Sequence, residues 1–432
     1  MSLFANRISA LGTENAFKLG DHIRACTDRG LDIVKFNLGE PDFDSPASVN
    51  EVAIEEIRRG NSHYCDPSGI LPLREAIAGH VSATRGIPVT PGQVIVTTGG
   101  KPSIGFALQT YVDPGDEVIY PSPGFPIYES WVEYVGAQPV PIQLPEQNGF
   151  ALTAEALSAA ITDRTKLIIL CSPSNPTGGV YPRAEVEAMA AVIQDKGRAD
   201  LRIYSDEIYE DILFDGERHL SIAQFPGMAD KTIVASGMSK SYAMTGWRLG
   251  YSVLPSEDEA TVFKQLNINT VSCVPPFIQE AGREALQSEE VRDIVAGMVA
   301  EFQQRRDWVV PALNDLPGIS CQQPGGAFYV FPNVGGACTD LGAVQAYEAL
   351  SGDEQATTSP AKMLQMFLLY SRGVASMDRN SFGMKGAGGQ HFLRLSIASA
   401  MDQLQEGVKR IGEAIGDRSG FQDFLETEDA WR

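Results

Sequence analysis

The sequence predicts an α/β protein: a sheet with helices on both faces, joined to a smaller α+β domain. Three observations predict it. Short β-branched runs alternate with longer helical patterns through the middle of the chain. That alternation stops near Glu289, where a long helical stretch begins. At 432 residues the chain also exceeds one ordinary core and suits two domains.

In chain order, Val94-Ile95-Val96-Thr97-Thr98 reads as a buried strand, followed by a Gly99-Gly100 turn and a helix from about Pro102 to Tyr111. Further strands are expected at Glu117–Tyr120, Lys166–Leu170, Leu201–Tyr204, Thr232–Ala235 and Gly250–Val253, with helices between most of them, such as Arg183 to Gln194. The second domain starts with a helix through Val291, Ile294, Val295, Met298, Phe302 and Trp308. A strand at Ala327–Val330 and a helix near Asp402–Ile415 follow. The expected division is a large domain over 46–288 and a small one formed by 1–45 with 289–432. Ser351–Pro360 is polar and reads as a mobile loop, and Asp417–Arg432 as an acidic tail without strong period, docked or frayed.

Composition excludes several function classes. Lys plus Arg number 34 against 55 Asp plus Glu, a net charge of −21, which opposes nucleic acid or an anionic membrane as partner. The six cysteines form no CxxC and the five histidines no HExxH, so neither a disulfide scaffold nor a metal site is expected. Asn6, Arg7, Asp21 and Arg24 interrupt the N-terminus, no apolar leader is visible, and no run approaches the ~18 residues of a membrane span. The expected location is the cytoplasm.

Ligands of such sheets sit outside the carboxyl ends of the strands, so the loops there carry the chemistry. Ser236-Gly237-Met238-Ser239-Lys240 follows one strand; a desolvated lysine there is a nucleophile of the Schiff-base type, while the pentapeptide alone reads equally well as carrying a surface lysine after a strand. Asp206 ends another strand with Tyr209 close by, and Asn175 lies between Pro173 and Pro176 after a third. Singly these are ordinary turn formers. Together, an acid, a phenol, an amide and a nucleophilic lysine suit pyridoxal phosphate, whose ring nitrogen an acid keeps protonated. Gly99-Gly100-Lys101 between strand and helix offers an anion site, and Arg248 a bidentate cation.

These motifs resemble the class I/II aminotransferases of fold type I, nearest the aspartate aminotransferase branch. The likeness covers most of the chain. It is carried by Asn37-Leu38-Gly39-Glu40-Pro41-Asp42-Phe43, His63-Tyr64 before Pro67-Ser68-Gly69, and Ser174-Asn175-Pro176-Thr177-Gly178. Ser205-Asp206-Glu207-Ile208-Tyr209, Ser239-Lys240 with Thr245-Gly246-Trp247-Arg248, and Leu393-Arg394-Leu395-Ser396 complete the set. The resemblance implies a large domain with a mostly parallel seven-stranded sheet and pyridoxal 5'-phosphate as cofactor. Lys240 would hold the cofactor covalently and shuttle the proton, Asp206 would pair with its ring nitrogen, and Asn175 and Tyr209 would bind its phenolate oxygen. Gly100, the Lys101 backbone, Ser239 and Arg248 would hold the phosphate. Tyr64 would reach the phosphate of a neighbouring subunit, which implies a homodimer with shared sites. Arg394 would clamp the substrate α-carboxylate, helped by the Gly39 backbone.

Phe125 matches the aromatic that stacks on the cofactor ring, where dedicated aspartate enzymes often carry Trp; as a residue alone it also reads as core. Ala375–Arg379 departs from a Pro-Gly turn usual in relatives. Lys101 has two readings, an ammonium facing a distal substrate carboxylate or a backbone N–H contact only. The expected activity is ping-pong transamination from an L-amino acid, aspartate foremost, to a 2-oxo acid such as 2-oxoglutarate. The alternatives are aromatic, alanine or prephenate specificity, a lyase on the same fold, or a non-catalytic binding module.

Overall fold

The computed structural model describes residues 3–12, 15–387 and 389–432. Seven strands form the central sheet: β1 (Val94–Thr97), β2 (Glu117–Ser122), β3 (Gln138–Gln143), β4 (Thr165–Cys171), β5 (Arg202–Asp206), β6 (Thr232–Gly237) and β7 (Gly250–Val253). Their spatial order is β1-β7-β6-β5-β4-β2-β3. Only β7 runs antiparallel to its neighbours. β1, β2, β6 and β7 are buried along their whole length, as expected of a sheet covered on both faces.

Six of these strands stand where the sequence places them. β3 has no counterpart among the expected strands. Its sequence, Gln-Pro-Val-Pro-Ile-Gln, carries two prolines, which cannot donate to a ladder. The structure accommodates them because β3 is the edge strand, paired on one side only, with β2.

The C-terminal part begins with the helix Glu289–Asn314, capped by the Ser288 hydroxyl and buried along Val291, Val295, Met298, Phe302 and Leu313. Met377–Asp378, Leu393–Ser396 and Tyr329–Val330 form a three-stranded antiparallel sheet. Val34-Lys35 pairs in parallel with Val374-Ala375, so the N-terminal segment is stitched to the C-terminal part.

Ser351–Pro360, read from the sequence as a mobile loop, carries local structure. Ser351 and Glu354 form a capping box on the short helix Gly352–Gln355, Ser359 caps the helix Pro360–Arg372, and the Thr358 hydroxyl donates to the Trp431 carbonyl at 2.6 Å. The acidic tail is docked and largely helical, over Arg418–Thr427. Phe421 and Phe424 share one face of it, both are buried, and their rings lie 5.3 and 5.6 Å from Phe367. Among the described residues no helix is long and apolar enough to cross a membrane.

Candidate active site

The carboxyl ends of β1, β2, β4, β5 and β6 open onto one cavity of about 530 Å³. β5 delivers Asp206 to its floor. The Tyr128 hydroxyl donates to Asp206 Oδ2 at 2.6 Å, and the Ile208 N–H to Oδ1 at 3.3 Å. Burial drives the Asp206 carboxyl up to about 6, and the Tyr128 and Ile208 bonds and the nearby Lys240 ammonium only partly oppose it.

Lys240 lies just past β6. Its ammonium donates to the Gly39 carbonyl at 2.6 Å and sits 5.9 Å from the Phe328 ring centroid. Gly39 has to be glycine for a steric reason: a Cβ there would lie 2.0 Å from the Tyr329 hydroxyl oxygen. That hydroxyl shares a 2.8 Å hydrogen bond with the hydroxyl of Tyr209. Burial, and then the Tyr329 neighbour, push the Tyr209 phenol well above its ordinary value, so it stays protonated as a donor.

Arg394 enters from the strand Leu393–Ser396. One guanidinium nitrogen donates to Asn175 Oδ1 at 3.1 Å and the other to the Asn37 carbonyl. Its carbon lies 4.7 Å from the Tyr329 ring centroid and 4.9 Å from that of Phe382. An oriented, buried guanidinium of this kind has the geometry to take a carboxylate with two parallel hydrogen bonds.

At the end of β1, Gly99 and Gly100 turn the chain into the helix Lys101–Tyr111, with Gly100 as its N-cap. A Cβ at Gly99, whose φ is +80°, would lie 2.2 Å from Arg248 Nη2. Arg248 is in turn fixed by donating to the Thr245 carbonyl at 2.7 Å. Helix N-terminus, guanidinium and the buried Ser239 together make a cradle for a phosphate-sized anion. The exposed Lys101 places its ammonium 5.7 Å from the Phe125 ring centroid, and Phe125 meets Tyr128 edge-on at 5.7 Å.

Gly39, Gly100, Lys101, Phe125, Asn175, Asp206, Tyr209, Ser239, Lys240, Arg248 and Arg394 thus all line one cavity. Tyr64 does not; it is 90 % exposed. Several lining residues escape a reading of the sequence. Tyr128 lies one helical turn beyond Phe125, and its only signal is a phenol at that spacing. Tyr329 stands in an apolar run that reads as core, and Ser381 and Phe382 follow the departing 375–379 segment. Beneath the floor, Arg85 bridges Glu207 at 2.7 Å and Glu210 at 2.5 Å, all buried. Burial alone would raise Glu207, but the Arg85 guanidinium, His219 and the Ser221 hydroxyl together outweigh it and the carboxyl is held at about 2.

Comparison with known proteins gives the family and the fold. The family described as Aminotransferase class I and II matches residues 31–411. The chain is 35 % identical over 413 residues to a probable aspartate/prephenate aminotransferase of Aquifex aeolicus, covering 95 % of this chain and 98 % of that one. The solved aspartate aminotransferase of Rhizobium meliloti superposes with a TM-score of 0.85 at 32 % identity, over 96 % of this chain and 99 % of its own. The aspartate aminotransferase of Thermus thermophilus with maleate gives a TM-score of 0.82 at 31 % identity, over 96 % and 100 %. On sequence and on fold, then, the chain belongs to the class I and II aminotransferases and is an enzyme of the transferase class.

Proposed function

We propose that the enzyme is a pyridoxal-phosphate-dependent transaminase that takes the amino group of L-aspartate or a similar acidic amino acid and delivers it to a 2-oxo acid such as 2-oxoglutarate, in two half-reactions. The observation that carries this reading is the convergence of Asp206, Lys240 and Arg394 on one cavity, with an anion cradle at its edge. The donor set fits the cofactor: an acid for a ring nitrogen, a phenol and an amide for a phenolate oxygen, an amine for a carbonyl, and a glycine turn that a Cβ would fill for a phosphate. When bound, the cofactor supplies an electron-withdrawing ring that stabilises negative charge at the substrate Cα.

The chain's residues would divide the work as follows. Asp206 holds a proton on the ring nitrogen by charge, with Tyr128 orienting the carboxylate. Tyr209 and Asn175 bind the phenolate oxygen. Gly100 and Lys101 through their N–H groups, Ser239 and Arg248 hold the phosphate, and Phe125 covers the ring. Arg394 grips the α-carboxylate beside Gly39. Lys240, with its amine free, would take the proton from the substrate Cα as a general base and deliver it as a general acid to C4′ of the bound cofactor, the carbon that keeps the amino nitrogen.

A dicarboxylate preference is supported by Lys101 at the cavity rim and by the maleate, itself a dicarboxylate, that accompanies the Thermus thermophilus enzyme in its solved structure. A panel of L-amino acids with 2-oxoglutarate, scored for glutamate formed, tests it, with prephenate added as an acceptor because the Aquifex relative is named for it. In that panel Lys101→Ala should weaken kcat/KM for aspartate by about 1–3 kcal/mol, the range of a charged hydrogen bond, and leave alanine nearly unchanged. Equal losses for both donors would remove Lys101 from side-chain recognition.

The proposal extends to assembly and domains. Tyr64 is exposed, and Ile57 and Leu71 nearby in sequence are exposed apolar residues too, which supports a homodimer in which Tyr64 serves the partner's phosphate. Mixing Lys240→Ala chains with Tyr64→Phe chains should then restore activity above either parent, since each heterodimer contains one intact site. Impaired parents that gain nothing on mixing would count against shared sites. The pairing of Val34-Lys35 with Val374-Ala375 supports a small domain built from 1–45 and 289–432 beside a large one over 46–288.

A further inference from the structure

Arg379 is a guanidinium with almost no access to solvent. It follows the strand Met377–Asp378 and starts a tight turn, Arg379–Phe382, capped by the Asp378 side chain. Its guanidinium donates to the Ser122 hydroxyl at 2.8 Å, the Gly383 carbonyl at 2.8 Å and the Gly386 carbonyl at 3.4 Å. Ser122 ends β2 in the central sheet, so this contact joins the C-terminal part of the chain to the sheet. Around it the same join is repeated: the Ser122 hydroxyl donates to the Lys385 carbonyl at 2.8 Å, the Gly124 N–H to the Phe382 carbonyl at 3.0 Å, and Lys385 pairs with Glu133 at 2.8 Å. Burial draws the Arg379 pKa down to about 10, against the opposing pull of Asp378 and Glu129. A buried cation is costly unless its partners are fixed, so the turn and Ser122 are held by the interactions that satisfy its two terminal nitrogens, while the buried Nε has no hydrogen-bond partner among the described residues.

The pinned turn presents Ser381 and Phe382 to the cavity. Phe382 contacts the Arg394 guanidinium and packs edge-on against Phe331 at 6.3 Å. We propose that Arg379 is a positioning residue for substrate binding: by seating the 379–386 turn on Ser122 it places Phe382 against Arg394 and fixes the plane in which Arg394 receives the substrate α-carboxylate. The proposal rests on the reading of Arg394 as the carboxylate receptor. Because every amino donor and every 2-oxo acceptor carries that carboxylate, the effect is indifferent to the substrate side chain. This separates it from the role given to Lys101, which concerns acidic side chains only.

The test uses the holoenzyme with Arg379→Gln, Ser122→Ala and, as reference, Arg394→Lys. For Arg379→Gln and Ser122→Ala, KM should rise about tenfold for aspartate, alanine and 2-oxoglutarate alike, with kcat within about threefold, the signature of lost binding common to ground and transition states. Cofactor bound per chain should be unchanged, and the amides of 380–387 should exchange hydrogen faster than in the parent. A purely structural role would instead lower the active fraction, and with it kcat, at constant KM, and that result overturns the proposal. If Arg394→Lys raises KM while the other two variants do not, the positioning role is wrong and the Arg394 reading stands. If Arg394→Lys leaves KM unaltered, the Arg394 reading fails and the proposal falls with it. Should Arg379→Gln fail to fold, Ser122→Ala decides by the same KM criterion.

Discussion

Lys240→Ala should abolish transamination, by about 10⁴-fold or more, the upper range for removing a general acid–base group. The reason is geometric. The Lys240 amine is held 2.6 Å from the Gly39 carbonyl, inside the cavity that Asp206 and Arg394 also line. Among the described residues no other lysine lines that cavity except Lys101, which stands at its exposed rim. An alanine at 240 leaves the phosphate cradle of Gly100, Ser239 and Arg248 intact, so cofactor should still bind while the absorbance of covalently held cofactor disappears. A second consequence follows for the cofactor-free chain. The Lys240 ammonium is one of the influences holding the Asp206 carboxyl down, so its removal should move that carboxyl further upward. Near-normal turnover by the variant would end the assignment of Lys240.

Asp206→Asn should raise the barrier by about 3 kcal/mol, the scale of deleting a preorganised electrostatic stabiliser. The amide keeps the shape and can still meet Tyr128, but it cannot favour a protonated ring nitrogen by charge. The same residue gives a pH signature without cofactor. Its folded carboxyl titrates near 6 against an ordinary 3.8, so the fold favours the protonated form. The stabilisation is therefore complete below about pH 4 and is lost as pH rises through about 6. Thermal unfolding of the cofactor-free parent should show Tm falling across that window relative to Asp206→Asn, and cofactor should erase the fall. Parallel Tm profiles for the two proteins, or wild-type rates in the variant, would contradict the role given to Asp206.

Much of the site is legible in the sequence because its residues end strands, and strands announce themselves by apolar runs. Asp206, Lys240 and Asn175 each follow such a run directly. Gly39 and Arg394 are reached through resemblance instead, and the structure supplies their reasons: the close approach of the Tyr329 hydroxyl and the contacts to Asn175 and Asn37. Tyr128 and Tyr329 stay hidden because one hydroxyl among apolar neighbours does not disclose what it will meet. Tyr128 finds Asp206 only because β2 and β5 are both neighbours of β4. The Arg85 bridge to Glu207 and Glu210 joins segments far apart in sequence, and no local pattern encodes such a partner. β3 is masked by prolines that only an edge position tolerates, and the C-terminal helix by acidic residues surrounding the two phenylalanines that dock it.

The stitch between the two ends of the chain also orders events during biosynthesis. The Val34 N–H donates to the Gly373 carbonyl at 2.8 Å, the Phe36 N–H to the Ala375 carbonyl at 2.8 Å, and the Ser396 N–H to the Phe36 carbonyl at 2.9 Å. Until the ribosome has released that C-terminal stretch, the segment carrying Asn37 and Gly39 has no strand to lie beside. Such long-range closure is slow, because the loop entropy is spent before the contacts form. The central sheet, with Asp206 and Lys240, can fold first, while the Gly39 carbonyl that accepts from the Lys240 ammonium and the Arg394 guanidinium arrive together at the end. On the roles proposed for Asp206, Lys240 and Arg394, a nascent or C-terminally truncated chain would hold half of the chemistry and none of the grip, and commitment to substrate would wait for the last part of the polypeptide.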